Sequence, residues 1–389
     1  MTCRFLENLT LRSLVAPVTV EEFKGRYWEQ KPLIVHRGDP DYYGDLFTLQ
    51  DFDEAITRDP NYVKIANAAT KKNQSYKSAS VPGLEAVLAD MRDGSTLVLD
   101  QLHLREPKLG LLCRLLGPEL GHRFQTNLYL TPPLGKGFTP HWDNHDVFIM
   151  QVMGSKHWKI EKERRVVPLK GDTLNEEDRE LRGDIYSFTL EQGDIIYIPR
   201  GFVHAAECGP TPSLHITLGV TAIFFEDLLH AIIRASLKRD ERLRVALPIG
   251  FMEDGLERLA SRAKAALKDA CDDAFLHAVV DEFRDEMVKT FPIDVSGQIL
   301  EFFQPAALTV NDIVGPRRGM VYQTHVTEDT VRLNFGTRTI VFPLFFRDAL
   351  DFALNIPVFA IGKLPGEIED EERVVFVERL IQEGLIVRK

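Results

Sequence analysis

The residues best suited to chemistry lie in two stretches, TPHWDNHDVFIM (Thr139 to Met150) and GDIIYIPRGFVH (Gly193 to His204). In the first, one residue separates His141 from Asp143, and on a strand that spacing turns both side chains to one face. In the second, Pro199 and Gly201 signal a turn after a strand-like run, which would swing His204 back toward the same place. Two imidazoles and one carboxylate on one side of a metal leave three coordination positions open, the facial triad of non-haem Fe(II) oxygenases. Those positions suit a chelating 2-oxoacid and O2. His145 and Asp146 compete as ligands. Three ligands from one extended strand do not converge easily on one ion, so His145 is read as pocket lining.

Lys156, in GSKHWKI (Gly154 to Ile160), is a second, independent feature. It follows the strand-like run Val147 to Met153, and a cation deep in a barrel is costly unless an anion meets it. The distal carboxylate of 2-oxoglutarate would be that anion. Trp142 and Trp158 flank these positions and are read first as core packing, while Asp184 and Asp194 read as turn residues at strand entries, without a catalytic role.

The elements that must hold these side chains come from a stretch, 122 to 222, dense in short β-type runs: FQTNLYL, DVFIMQVM, KHWKI, DIYSFTL, DIIYIP and LHITLGV. Gly, Pro and Asp punctuate them, which predicts a sandwich or barrel. Residues 1 to 95 mix short helices with the strand-like KPLIVHR, and STLVLD follows. From Phe224 to Phe291 the period becomes helical, as in Leu228, Ile232, Ala235 and then Leu256, Leu259, Ala263, Leu267. The remainder, from 295, has strand-like VRLNFG and TIVFP and the helical runs FRDALDFALN and DEERVVFVERLIQEGLI, an order like that of a winged helix.

Bulk properties bound the function. At 389 residues, 44% hydrophobic and 27% charged, the chain has the composition of a globular protein of two or three domains. A formal charge of −11 argues against direct nucleic-acid binding and favours a basic partner. Cys3, Cys113, Cys208 and Cys271 lie far apart with no CxxC pair, which excludes a zinc ribbon and fits a reducing, cytoplasmic setting. No run reaches the roughly 18 apolar residues of a membrane helix, and the N-terminus does not read as a signal peptide.

PHWDNHDVFIMQVMGSKHWKI, together with IPRGFVH, resembles the JmjC oxygenases, and among them the ribosomal-oxygenase branch, whose members hydroxylate ribosomal proteins. YWEQKPLIVHR (Tyr27 to Arg37) and the order of the domains match that branch, so the resemblance covers nearly the whole chain. It implies an α+β protein. Residues 1–223 would form a double-stranded β-helix (jelly-roll, cupin) JmjC domain with a barrel core of about 95–222; 224–294 would be a helical dimerisation region and 295–389 a winged-helix-like domain. Carried over by position, His141, Asp143 and His204 would bind Fe(II) and Lys156 the 2-oxoglutarate carboxylate. Asn127 and Tyr129 would flank this cosubstrate, and Thr217 would supply a hydroxyl that assists Lys156.

The implied activity is protein hydroxylation with Fe(II), 2-oxoglutarate and O2, on a histidine or arginine side chain of a basic ribosomal protein, by a homodimer. Bacterial arginine-hydroxylating members have Arg where this chain has Lys156, and animal histidine-hydroxylating members have Lys, which favours histidine. The rival readings are a JmjC enzyme acting on tRNA or on a methyl-lysine protein, and a non-catalytic cupin that binds during ribosome assembly. Against a chromatin demethylase stands the lack of closely spaced cysteines for a zinc cluster.

Overall fold

In the computed structural model the chain divides into two compact units, Met1–Ala222 and Ile223–Lys389. The structure describes residues 3–58, 63–70, 72–76, 81–165, 168–169, 171–173, 179–247, 249–253, 256–270, 272–304 and 307–389.

Among the described residues the first unit has eleven strands: β1 Leu33–Val35, β2 Val63–Asn67, β3 Lys72–Tyr76, β4 Thr96–Leu99, β5 Arg123–Thr131, β6 Asp146–Met153, β7 Lys156–Arg165, β8 Ile185–Leu190, β9 Ile195–Ile198, β10 Phe202–Cys208 and β11 Ser213–Thr221. Eight of them form one sheet in the order β1-β9-β6-β11-β5-β4-β2-β3, and three form a second in the order β10-β7-β8. Every pairing in both is antiparallel. This is the mixed α+β architecture with a β-sandwich core that the sequence predicts.

Strand alternation explains why the large sheet is buried on both faces. On β6, Phe148, Met150 and Val152 join the outer core, where helices such as Pro107–Leu120 pack, while Val147 and Ile149 join Trp158, Ile160, Ile196 and Ile198 in an inner core. On β11, Leu214, Ile216, Leu218 and Val220 face the outer core, which leaves His215 and Thr217 on the opposite face. β5 does the same with Phe124, Leu128 and Leu130 against Asn127 and Tyr129. Full burial of such a leucine stabilises by about 1.5–3 kcal/mol.

One glycine is required by the path of the chain. Gly154 turns β6 into β7 with φ +65°, and a Cβ there would collide with the Pro212 carbonyl oxygen. That tight corner delivers Lys156 as the first residue of β7.

In the second unit the helices Phe225–Arg239, Leu256–Ala270, Asp273–Val288 and Gln298–Phe303 are followed by β12 Ile313–Pro316, β13 Tyr322–Val326, β14 Thr330–Phe335, β15 Arg338–Pro343, β16 Phe359–Ala360 and β17 Ile386–Arg388. The strands make two three-stranded sheets, β16-β12-β17 and β13-β14-β15. Helices Arg347–Asn355 and Asp370–Gln382 bury Leu350, Ala353, Val377 and Leu380 in a core with Val314, Leu333 and Phe335. No described helix is long and apolar enough to cross a membrane.

Candidate active site

His141 and Asp143 do not lie on a regular strand. The segment before β6 is irregular, and one antiparallel bridge to His204 fixes it. The His141 amide donates to the His204 carbonyl at 3.1 Å, and the His204 amide donates to that of His141 at 2.8 Å. The Gly201 amide donates to the Asp143 carbonyl at 2.9 Å. The return turn is thus bonded directly to the HxD segment, and the three side chains converge.

Their ligand atoms lie within 4.8 Å of one another. The rings of His141 and His204 are 4.5 Å apart, and Asp143 Oδ2 is 3.8 Å from His204 Nε2. Each imidazole places its Nδ1 on the carbonyl two residues earlier, His141 on Thr139 at 2.8 Å and His204 on Phe202 at 2.9 Å. A backbone carbonyl requires a donor, so both Nδ1 atoms carry the proton and both Nε2 atoms are free to ligate, the arrangement that orients metal-binding histidines. Burial, reinforced by the charge of His141, pushes His204 down to about 4, so at neutral pH it is an unprotonated ligand. Burial acts to raise the Asp143 carboxyl, but His204, then His141 and His145, outweigh it and hold it below its usual value. Two imidazoles with free Nε2 atoms and one carboxylate therefore meet with lone pairs available, the donor set that Fe(II) takes in oxygenases of this type.

These three side chains form one end of a pocket that is open to solvent and also lined by Tyr129, Phe138, Lys156, Trp158, His215 and Thr217. At the other end, Lys156 is 3% exposed. Its Nζ donates to Thr131 Oγ1 at 3.0 Å, and Thr131 in turn meets Thr96 Oγ1 at 3.0 Å. No described carboxylate pairs with it. Burial lowers its ammonium to about 8.

The remaining expected residues are placed as follows. Tyr129 lines the pocket, stacked on His215 with centroids 4.8 Å apart. Thr217 lines it too, but the hydroxyl that Lys156 reaches is that of Thr131. Asn127 Oδ1 accepts the Gln101 amide at 2.9 Å, and Asn127 is not among the lining residues. Neither is His145, which precedes β6, meets Asn144 Oδ1 at 3.1 Å and covers Gly219, where an added Cβ would lie 2.8 Å from its ring. Trp158 joins the inner core and also lines the pocket. Asp194 holds the amides of Arg37 and Glu191 and Nδ1 of His36, a brace for its turn.

His215 and Phe138 are among the pocket residues that the sequence reading missed. His215 is 2% exposed, and burial, followed by the charge of Lys156, drives it well below its ordinary value into the neutral form. The signal was present: the alternation that turns Thr217 inward turns His215 inward as well.

The JmjC domain family profile matches residues 113–228, which include all three triad positions and Lys156. Ribosomal oxygenase 1 of Gallus gallus is 31% identical over 309 residues, covering 74% of this chain and 51% of its own length. Ribosomal oxygenase 2 of Bos taurus is 27% identical, covering 96% of this chain and 90% of its own. This is a JmjC-domain chain of the ribosomal-oxygenase branch of the cupin superfamily. The JmjC chain spans between 39% and 65% of the length of several curated relatives, among them histidyl-hydroxylases of Caenorhabditis briggsae and Culex quinquefasciatus. Its fold is also that of YcfD, a ribosomal oxygenase from Escherichia coli solved with cobalt and 2-oxoglutarate, at a TM-score of 0.57, 16% identity and coverage of 96% and 99% of the two chains.

Proposed function

We propose that this chain is an Fe(II)- and 2-oxoglutarate-dependent hydroxylase of a ribosomal-protein side chain, histidine in preference to arginine. One observation carries the reading: a triad with both Nε2 atoms free shares a single pocket with a buried lysine that no described acid neutralises. A buried cation without a counter-ion is costly, and a dicarboxylate reaching from metal to lysine would relieve that cost. His141, Asp143 and His204 would hold the ion, and Lys156 with Thr131 would anchor the distal carboxylate, leaving Tyr129 and Thr217 to wall the cosubstrate. When bound, Fe(II) with 2-oxoglutarate and O2 supplies the oxidising power to hydroxylate an unactivated C–H bond. The chain's own task is to orient the reactants and to exclude water.

Histidine is favoured because Asp143 is the sole carboxylate among the described residues lining the pocket. A guanidinium always carries its charge and would need an acid to receive it, whereas a neutral imidazole does not. The names of several relatives combine histidyl-hydroxylase with lysine-specific demethylase, which motivates a second reading on methyl-lysine proteins. Incubation with ribosomal proteins and with methyl-lysine peptides separates the two: hydroxylation adds one oxygen to the substrate, and demethylation releases formaldehyde.

The chain would act as a homodimer through its helical region, with a winged-helix-like C-terminal part. Supporting the dimer, Phe225, Leu229, Ile233 and Leu237 recur every four residues along one helix and are all exposed. Ile299, Leu300, Phe302 and Phe303 on the helix Gln298–Phe303 are exposed as well. Sedimentation should give a dimer for the full chain and a monomer for Leu229→Glu/Ile233→Glu; a wild-type monomer contradicts this part. The free, buried thiols of Cys3, Cys113 and Cys208 support a cytoplasmic setting.

A further inference from the structure

The segment YWEQKPLIVHR contributes no side chain to the pocket lining, yet a chain of polar contacts joins it to both metal-binding segments. Glu29 adopts a left-handed backbone with φ 54°, a costly conformation for a residue with a side chain. In that conformation its amide donates to Tyr197 Oη at 2.9 Å. Tyr197 Oη donates in turn to Asp146 Oδ1 at 2.6 Å. Asp146 is fully buried. The Arg200 guanidinium closes the circuit, paired through Nη1 with Glu29 Oε1 and lying 3.8 Å from Asp146 Oδ2. Trp28 stacks on Tyr197 at 5.9 Å, and β1 pairs Leu33 with Tyr197.

The positions of these residues give the network its meaning. Asp146 comes three residues after Asp143, and Arg200 four before His204. We propose that Glu29, Arg200 and Asp146 are positioning residues that clamp the HxD segment to the return turn and so set the separation of Asp143 from His204. The inference rests on the metal reading of that site. A guanidinium held between the buried Asp146 and the partly exposed Glu29 contributes little net stability, because desolvation offsets the attraction, and an apolar cluster would hold the fold as well. What a polar network provides that an apolar cluster does not is directional geometry, here through the hydrogen bonds that join the Glu29 amide, Tyr197 Oη and Asp146 Oδ1. The metal end needs it, since the HxD segment is irregular and joined to the return turn by no more than one bridge and one further amide bond among the described residues. Partners that orient metal ligands typically change affinity by about 10–100-fold when removed.

The test is Co(II) titration of the full chain, reading both affinity and the visible absorption of the bound ion, with thermal unfolding measured alongside. Glu29→Gln keeps the shape and removes the charge; it should weaken Co(II) binding by about tenfold and shift the absorption bands. Glu29→Asp should recover part of both. Arg37→Met strips the contact of Arg37 with the Leu14 carbonyl, 2.6 Å long, from the same segment. It should lower the melting temperature and leave the Co(II) affinity and spectrum unchanged. If Glu29→Gln binds Co(II) with wild-type affinity and spectrum, whatever its melting temperature, the clamp is overturned and the metal reading stands. If the wild-type chain binds no more Co(II) than Asp143→Ala, the metal reading falls and the clamp falls with it.

Discussion

The two ends of the pocket solve opposite problems. At the metal end, the groups support one another: each imidazole is fixed by a backbone carbonyl, His141 and His204 exchange amide bonds, and the Asp143 carboxyl is held ionised by its neighbours. At the lysine end, a single ammonium is buried against a hydroxyl and left without an acid among the described residues. The first end is organised before any ligand arrives. The second is held at a cost that only an anion removes, and that asymmetry points to a ligand bearing a chelating head and a distal carboxylate.

Breaking the metal end should have the largest effect. Asp143→Ala leaves two imidazoles and should weaken metal binding by more than about 100-fold, measured by Co(II) titration, and abolish turnover. Breaking the lysine end should separate stability from function. Lys156→Met should remove 2-oxoglutarate binding by calorimetry on metal-loaded protein, yet raise unfolding stability at pH 7 by on the order of 2 kcal/mol. The sign follows from protons: the unfolded lysine titrates near 10.5 and the folded one near 8, so the unfolded chain binds more protons between them and wild-type stability rises with pH there. The gain from Lys156→Met should therefore be full below pH 8 and shrink toward pH 10.5. For the same reason, 2-oxoglutarate affinity in the wild type should fall above pH 8 as the ammonium is lost. Thr131→Val, which deletes the hydrogen bond from Lys156 Nζ to Thr131 Oγ1, should act least, weakening 2-oxoglutarate binding by a few-fold for about 1 kcal/mol.

How much of this the sequence disclosed depends on the range of each interaction. His141, Asp143 and His204 were legible because two motifs encode ligand types, spacing and a return turn within a few residues each. Tyr129 and Thr217 came from the family resemblance, and the alternation of β5 and β11 agrees with their facing the pocket; it turns Asn127 to the same face, yet Asn127 does not line the pocket. Alternation does not say which strand comes to lie opposite a residue. That is why Thr131 as the partner of Lys156, and the stacking of His215 on Tyr129, emerged only from the folded sheets. His145 was placed in the pocket by extending β6 backwards, but the strand begins at Asp146 and the ring turns toward Gly219 instead. The Glu29–Arg200–Asp146 network spans the chain from the N-terminal segment to the return turn, and no local pattern encodes such a link.

The central claim is tested most directly by one experiment. The purified chain is loaded anaerobically with Fe(II) and 2-oxoglutarate, O2 is admitted, and succinate is measured with and without a mixture of ribosomal proteins, beside Asp143→Ala. Succinate that depends on Asp143 and rises with the mixture is the expected result, with one added oxygen on a histidine located by mass spectrometry. A metal-loaded chain that neither binds 2-oxoglutarate nor forms succinate would contradict the account and leave a non-catalytic binding protein in its place.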